Sequence, residues 1–377
     1  MGISYCFLST YPPTQCGLAS FTSALLRALT PAGSDDRAGV VQVVDTAFTG
    51  RRAEVVEHLR VGDPAGHLAA AAALNRHDVA IVQHEYGIFG GPDGVDVLAV
   101  LDEVRVPVIV VLHTVLAAPT PHQRSVLERV AAAADAVVTM TETARTRLLA
   151  GYDVDADRVS VIPHGAVENV SYRLPDPTRR PTILTWGLLG PGKGIEWGLI
   201  GLHEIRRMLP QPRYLIAGQT HPRVRQQQGE AYRLGLGNRA RALGIAHLVR
   251  FERGYLDEPT LARLVGCADV VLLPYDSREQ VTSGVLIEAI AAHKPVVSTR
   301  FPHAVELLGS GAGILVPHGD GPAIGAALRQ VLTDPRLAAR MSAEAARIAP
   351  SLRWPTVADR YRALAGALLE TRAVVRG

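Results

Sequence analysis

The chain has 377 residues, room for two domains at roughly 150 residues each, and 39 Lys and Arg against 36 Asp and Glu leave a net charge of +3. That balance argues against a general nucleic-acid-binding surface, and a hydrophobic share of 47% excludes a disordered chain. Cys6, Cys16 and Cys267 are too few and too scattered for a disulfide framework or a metal knuckle, and they fit a reducing compartment.

The first ten residues carry no charged segment ahead of a long apolar stretch, so no signal peptide is read there. No run of about 18 uncharged apolar residues offers a membrane span. The expected location is cytoplasmic, with peripheral contact at the inner membrane face left open. Residues 3–8 read as a buried strand, and Leu18, Phe21, Leu25 and Leu29 then recur with helical spacing. Further strands are expected at 40–44, 79–83, 106–112, 136–139 and 159–162, with a helix at 119–134. The alternation breaks at 172–181, where Pro175, Pro177 and Pro181 cluster with charges, and this is the expected linker. Strands resume at 182–186, 214–217, 248–251, 270–273, 295–299 and 313–316, and 351–374 reads as a closing helix. Strand–helix alternation on this scale predicts an α/β protein with two doubly wound, Rossmann-like halves. Ligands of such sheets bind beyond the carboxyl ends of the strands, so two halves facing each other predict an interdomain cleft.

Five segments at strand ends could carry chemistry. Gly17 stands where the first helix should begin, a place where backbone amides can approach an anion. Gln83-His84-Glu85-Tyr86-Gly87 follows the strand at 79–83, and its polar and aromatic side chains suit a polyhydroxylated ligand. His113-Thr114 closes the next strand. The segment from Trp186 to Gly194 holds four glycines, Gly187, Gly190, Gly192 and Gly194, and one cation, Lys193, ahead of a helix. That composition describes a phosphate site built from amides, a helix dipole and a point charge. It nearly matches the GxxxxGK[ST] loop, but Gly194 replaces the hydroxyl residue that would hold Mg²⁺, which weakens an NTPase reading. In the last segment Ser283 is a candidate N-cap, Gly284 permits close approach, and Glu288 lies in the helix that follows. The run Asp153, Asp155, Asp157 is not read as a metal loop, because Arg158 and His164 occupy the positions where a calcium loop needs Gly and Glu.

Nearly the whole chain resembles the retaining GT-B glycosyltransferases of family 4 (glycosyl transferases group 1), in a branch like the bacterial mannosyltransferases. The landmarks are Gly17, His113, Val161-Ile162-Pro163-His164-Gly165, Gly187 with Lys193-Gly194, Ala268-Asp269-Val270 with Leu273-Pro274-Tyr275, the block from Glu288 to Val297, and Glu306. Two positions depart from the family pattern. Leu188 stands where an Arg usually precedes the Lys, and Gln280 replaces the first Glu of an E-x7-E pair ending at Glu288.

The resemblance implies domains at 1–172 for the acceptor, 173–350 for the donor and 351–377 as a helix packing back on the first domain. It implies metal-independent transfer of a hexose, mannose or glucose, from a donor such as GDP-mannose or UDP-glucose to a hydroxyl acceptor, with no cofactor and no nucleic-acid partner. The acceptor is expected to be a small molecule, a glycan or a lipid-linked group. By resemblance the catalytic residues are His113, Lys193, Gln280 and Glu288. Donor contacts fall to Gly17, Gly187, Gly190, Gly192, Ser283 and Gly284, and acceptor contacts to Gln83, His84, Glu85 and Tyr86. His221 and Arg223, at the end of another strand, are expected to supply the charge that Leu188 lacks. An imidazole beside phosphate would have its pKa raised. The rival readings are a nucleotide-sugar 2-epimerase and a degenerate binding or scaffold protein, the latter motivated by Leu188 and Gln280.

Overall fold

The computed structural model describes residues 2–45, 52–63, 65–169 and 179–376; the expected linker lies outside them as far as residue 178. The chain forms two compact units, Met1–Gly165 with Trp354–Gly377 and Ala166–Arg353. The junctions differ from the sequence expectation, falling after Gly165 rather than 172 and after Arg353 rather than 350. Gly165 has no room for a side chain, since a Cβ would lie 2.2 Å from the Trp354 ring.

The first unit is built on seven parallel strands: β1 (Ser4–Ser9), β2 (Arg37–Val44), β3 (Val55–Arg60), β4 (Val79–His84), β5 (Val108–Leu112), β6 (Ala136–Thr139) and β7 (Val159–Val161). Their order is β3-β2-β1-β4-β5-β6-β7. Six of these are the strands expected from apolar runs. The edge strand β3 is not, because Val-Val-Glu-His-Leu-Arg buries only Leu59 fully and so shows no apolar run. The helix Gly17–Leu29 lays Phe21, Leu25 and Leu29 into the core. The closing helix Trp354–Arg376 belongs to this unit, adding Trp354, Val357, Ala358, Tyr361 and Ala365 to the same core. Arg362 fastens it, with Nε on Asp36 at 3.0 Å and Nη2 on the Ala28 carbonyl at 2.8 Å, where a cation also meets the carbonyl end of Gly17–Leu29.

The second unit has six parallel strands: β8 (Thr182–Trp186), β9 (Arg213–Ala217), β10 (Val249–Glu252), β11 (Val270–Leu273), β12 (Val296–Thr299) and β13 (Gly313–Val316), ordered β10-β9-β8-β11-β12-β13. Small residues bring its helices close. A Cβ on Gly201 would stand 2.6 Å from Ile324, and one on Gly325 would stand 2.9 Å from the Gly201 carbonyl. In both sheets the strand order reverses beside the first strand, next to β1 and β4 in one and next to β8 and β11 in the other. The crevice for a ligand opens at such switch points.

Candidate functional site

In the second unit the chain leaves β8 into the glycine loop, and backbone geometry explains the glycines. Gly187, Gly192 and Gly194 have φ of +121°, +87° and +59°, conformations that L side chains rarely adopt. Gly194 is the most constrained, because a Cβ there would stand 1.8 Å from the Pro274 carbonyl oxygen. The Asp276 N–H donates to the Gly192 carbonyl at 2.9 Å, tying the loop to the end of β11. Across the switch point Lys193 lays its ammonium over the Tyr275 ring, 4.3 Å from the centroid, and Tyr275 stacks on Phe301 at 5.2 Å. The helix Ile195–Glu204 begins directly after Gly194 with no side-chain cap, so its first turn keeps the electropositive character of an uncapped N-terminus.

The segment 219–223 lies alongside this loop. The Leu189 N–H donates to the Gln219 carbonyl and the His221 N–H to the Leu189 carbonyl, each at 2.8 Å. A Cβ on Gly190 would lie 3.8 Å from His221 Cβ. His221 also caps the helix Pro222–Gln228, its Nδ1 accepting the Arg223 N–H at 3.2 Å. Without a phosphate beside it, the pKa shift runs the opposite way to the one expected in its presence. Burial, then the charges of Arg223 and Lys193, push the imidazole down. The same two cations that lower it mark a locally positive edge.

The segment at 280–288 departs from expectation at one amide. Ser283 caps the helix Gly284–Ala291 through its hydroxyl, as expected, with Leu286 N–H donating at 3.3 Å. Its own N–H, expected to face a phosphate, instead donates to Nδ1 of the buried His303 at 2.8 Å. His303 carried no local signal in the sequence, since its partner is 20 residues away. Gln280 donates from Nε2 to the Thr282 carbonyl at 2.9 Å and so braces its own loop. Glu288 is half-buried rather than solvated, and its Oε2 accepts the Trp186 indole N–H at 3.0 Å. Burial pushes its carboxyl up to about 7, with the Trp186 hydrogen bond opposing. Trp186 thus joins the end of β8 to Glu288, a link invisible in sequence because the two are 102 residues apart.

In the first unit the residues expected to meet an acceptor do not line an open surface uniformly. Gln83 and His84 are fully buried, while Glu85, Tyr86 and His113 are half-buried. The His113 Nε2–H donates to Gln83 Oε1 at 2.6 Å. Thr114 Oγ1–H donates to Glu85 Oε2 at 2.5 Å, and the Tyr86 hydroxyl donates to the Gln123 carbonyl at 3.4 Å. The His113 ring stands edge-on to Phe21 at 4.9 Å, and Phe21 meets His164 at 4.9 Å and Trp354 at 5.2 Å. His164 was read from sequence only as a landmark, not as a site residue. Burial pushes His84 and His164 down to about 4 and His113 to about 3, the last helped by His164 and His84. All three rings are therefore neutral at neutral pH. Gly17 opens the helix after β1, and a Cβ there would meet nothing within 4 Å. Its glycine is thus not dictated by packing, which leaves space for a ligand beside the helix start. Cys16 caps that helix, its Sγ accepting the Ala19 N–H at 3.4 Å. Asp155 caps a single turn at Ala156–Arg158, and among the described residues no group of three or more His, Cys, Asp or Glu converges as a metal site would.

Family models match both units. Glycosyltransferase Family 4 matches residues 26–168, and Glycosyl transferases group 1 matches residues 180–334. A GDP-mannose-dependent alpha-(1-6)-phosphatidylinositol monomannoside mannosyltransferase from Mycolicibacterium smegmatis is 30% identical over 239 residues, 59% of this chain and 59% of that protein. A D-inositol 3-phosphate glycosyltransferase from Kineococcus radiotolerans is 28% identical over 285 residues, 69% of this chain and 63% of that protein. The match thus spans about three fifths of the length of these curated relatives. Among solved structures, Anabaena Alr3699/HepE in complex with UDP superimposes with a TM-score of 0.77 at 18% identity, covering 97% of this chain and 100% of that one. Sucrose-phosphate synthase from Thermosynechococcus elongatus gives 0.74 at 17% identity, covering 98% and 100%. At such identities the structural likeness establishes the fold, two parallel-sheet units of GT-B type. With a glycosyltransferase model matched to each unit and landmarks at the strand ends of both, the chain belongs to the family 4, group 1 glycosyltransferases of GT-B fold.

Proposed function

We propose that the protein transfers a hexosyl group from a nucleoside-diphosphate sugar to a hydroxyl acceptor, with retention at the anomeric carbon and without an essential metal. The observation that supports this most directly is the pinned glycine loop after β8, with Lys193 over Tyr275 at the switch point beside an uncapped helix start. In the reaction the bond between C1 and the diphosphate oxygen breaks and a bond from the acceptor oxygen to C1 forms. The acceptor proton passes to the departing phosphate. Negative charge grows on that phosphate, and preorganised donors aimed at growing charge are what lower such a barrier. Lys193 and the amides of the loop and of the first turn at Ile195 take that role. The amide of Ser283, already given to His303, does not. Arg223 adds charge where Leu188 has none, and His221 does so once a phosphate beside it favours its protonated form. Glu288 accepts from donor ribose hydroxyls, Gln280 meets the sugar, and His113 in the first unit accepts from a sugar hydroxyl. GDP-mannose and UDP-glucose are the donors to try first, in view of the GDP-mannose-dependent relative and the UDP-bound neighbour. The acceptor is a small molecule, a glycan or a lipid-linked hydroxyl, met in the cytoplasm or at the inner membrane face. No helix among the described residues is long and apolar enough to cross a membrane.

The test is a thermal-shift series with GDP, UDP and their sugar nucleotides in EDTA, followed by turnover with candidate acceptors. A ligand at 100 times its Kd stabilises by about 2.7 kcal/mol. Absence of any shift from every nucleotide would overturn the donor site. Activity abolished by EDTA and restored by Mn²⁺ or Mg²⁺ would overturn metal independence. Tight binding without turnover on any acceptor would instead favour a scaffold, the reading that Leu188 and Gln280 keep open.

A further inference from the structure

We infer that Gln83 is a positioning residue: it holds His113 as the Nε2–H tautomer, so that Nδ1 is the ring atom offered to a ligand hydroxyl. The inference rests on the proposed function only for the ligand, since the tautomer is a property of the free chain.

β4 and β5 pair in parallel with Gln83 opposite Val111 and His84 opposite Leu112. The His113 N–H continues that ladder onto the His84 carbonyl at 3.1 Å, so the His113 backbone is fixed at the sheet's carboxyl edge. Its ring stands edge-on to Phe21 at 4.9 Å and 85°. In that setting Nε2 reaches Gln83 Oε1 at 2.6 Å. A carboxamide oxygen only accepts, so the ring nitrogen facing it carries the proton. A neutral imidazole has one N–H, and Nδ1 is left as a lone pair. Among the described residues nothing bonds Nδ1, and His113 is half-buried where Gln83 is fully buried.

Burial first, and then two neighbours, hold the ring neutral. His84 lies on β4 and His164 follows β7, and both act against a proton on His113. Gln83 supports this because an amide, unlike a carboxylate, fixes a tautomer without attracting a charge. An Asp or Glu at position 83 would pull the other way, favouring the charged imidazolium, which donates from both nitrogens. The ring is thus set to accept a hydrogen bond from a hydroxyl and not to act as an acid. In the sequence Gln83 stood among the acceptor ligands; its burial and its contact move it one step back from the ligand.

The test uses the full chain with ¹⁵N-labelled histidine at pH 7, reading ring protonation from long-range proton–nitrogen correlations and assigning His113 by its loss in His113→Asn. The expected pattern is a protonated Nε2 and a bare Nδ1. Gln83→Leu should convert this to a mixture of tautomers. Gln83→Glu, close to the same size, should raise the His113 pKa by at least one unit. A wild-type ring protonated on Nδ1, as an amide turned end for end would give, overturns the inference. So does a folded Gln83→Leu protein with an unchanged pattern. Should Gln83→Leu not fold, an unshifted His113 titration in Gln83→Glu overturns it instead. None of these readings depends on turnover, so a failure of the proposed function leaves a distinct signature: the tautomer behaves as stated, and no sugar nucleotide binds.

Discussion

The two units share one plan and fill it with opposite chemistry. Each sheet runs parallel and reverses order beside its first strand, and each sets its candidate residues at that edge. In the first unit the edge is a cluster of rings, His84, His113 and His164 with Phe21 and Trp354, and burial suppresses the charge on all three imidazoles. In the second unit the edge is mostly backbone, three glycines at positive φ, with Lys193 kept over an aromatic face. Neutral rings suit hydroxyl recognition, and amides with a cation suit a diphosphate. The fold therefore sets where a ligand can lie, while the residues on the strand-end loops decide which ligand that is.

The comparison breaks first if the second unit's edge is not cationic in function. Lys193→Ala should lower kcat/KM by on the order of 10²-fold, the scale expected when a donor to developing charge is removed. A folded variant within threefold of the parent would show that Lys193 does not serve the phosphate. The next largest effect belongs to the segment lying beside the loop. His221→Ala and Arg223→Ala should each weaken nucleoside-diphosphate binding by roughly tenfold, in line with one charge-assisted hydrogen bond. Parent-like affinity and turnover in both would mean that the Leu188 site works with less charge than proposed.

A smaller and sharper contrast lies in pH dependence, because the two edges respond with opposite sign. In the first unit His84 and His164 fall from 6.5 to about 4. Above pH 6.5 the folded and unfolded states are equally deprotonated at these rings. As pH falls from there towards 4, the unfolded chain takes up protons that the folded one refuses, so stability is lost. His164→Asn should flatten that acid arm, seen as a change in the slope of Tm against pH. Glu288 runs the other way, raised from 4.5 to about 7. Between those values the folded state holds a proton that the unfolded state has released, so its stability contribution fades as pH rises towards 7. Glu288→Gln should remove that decline, an effect of about 2–4 °C in Tm if the linkage is near 1 kcal/mol. Identical Tm profiles for parent and variant from pH 4.5 to 7 would mean that Glu288 titrates as an exposed carboxylate.

What the sequence determined by itself was local. Apolar runs marked twelve of the thirteen strands, because a strand buried on both faces of a parallel sheet must be apolar along its length. The strand that was missed, β3, is half-exposed at an edge and shows no such run. Glycines before a helix marked the loop after β8, because positive φ and close approach leave few other choices. Gly17, His113 and Lys193 drew notice in the sequence for a similar reason: each ends a strand or opens a helix. Tertiary structure decided the partnerships. Gln83 became a support for His113, Ser283 gave its amide to His303, Trp186 met Glu288, and segment 219–221 came to lie beside the glycine loop. Each of these joins residues that are far apart in the chain and meet only because parallel strands bring their carboxyl ends to one edge. Hydrogen-bond partners and burial set protonation, so the neutral histidines and the raised Glu288 carboxyl could be read only once the strands were in order.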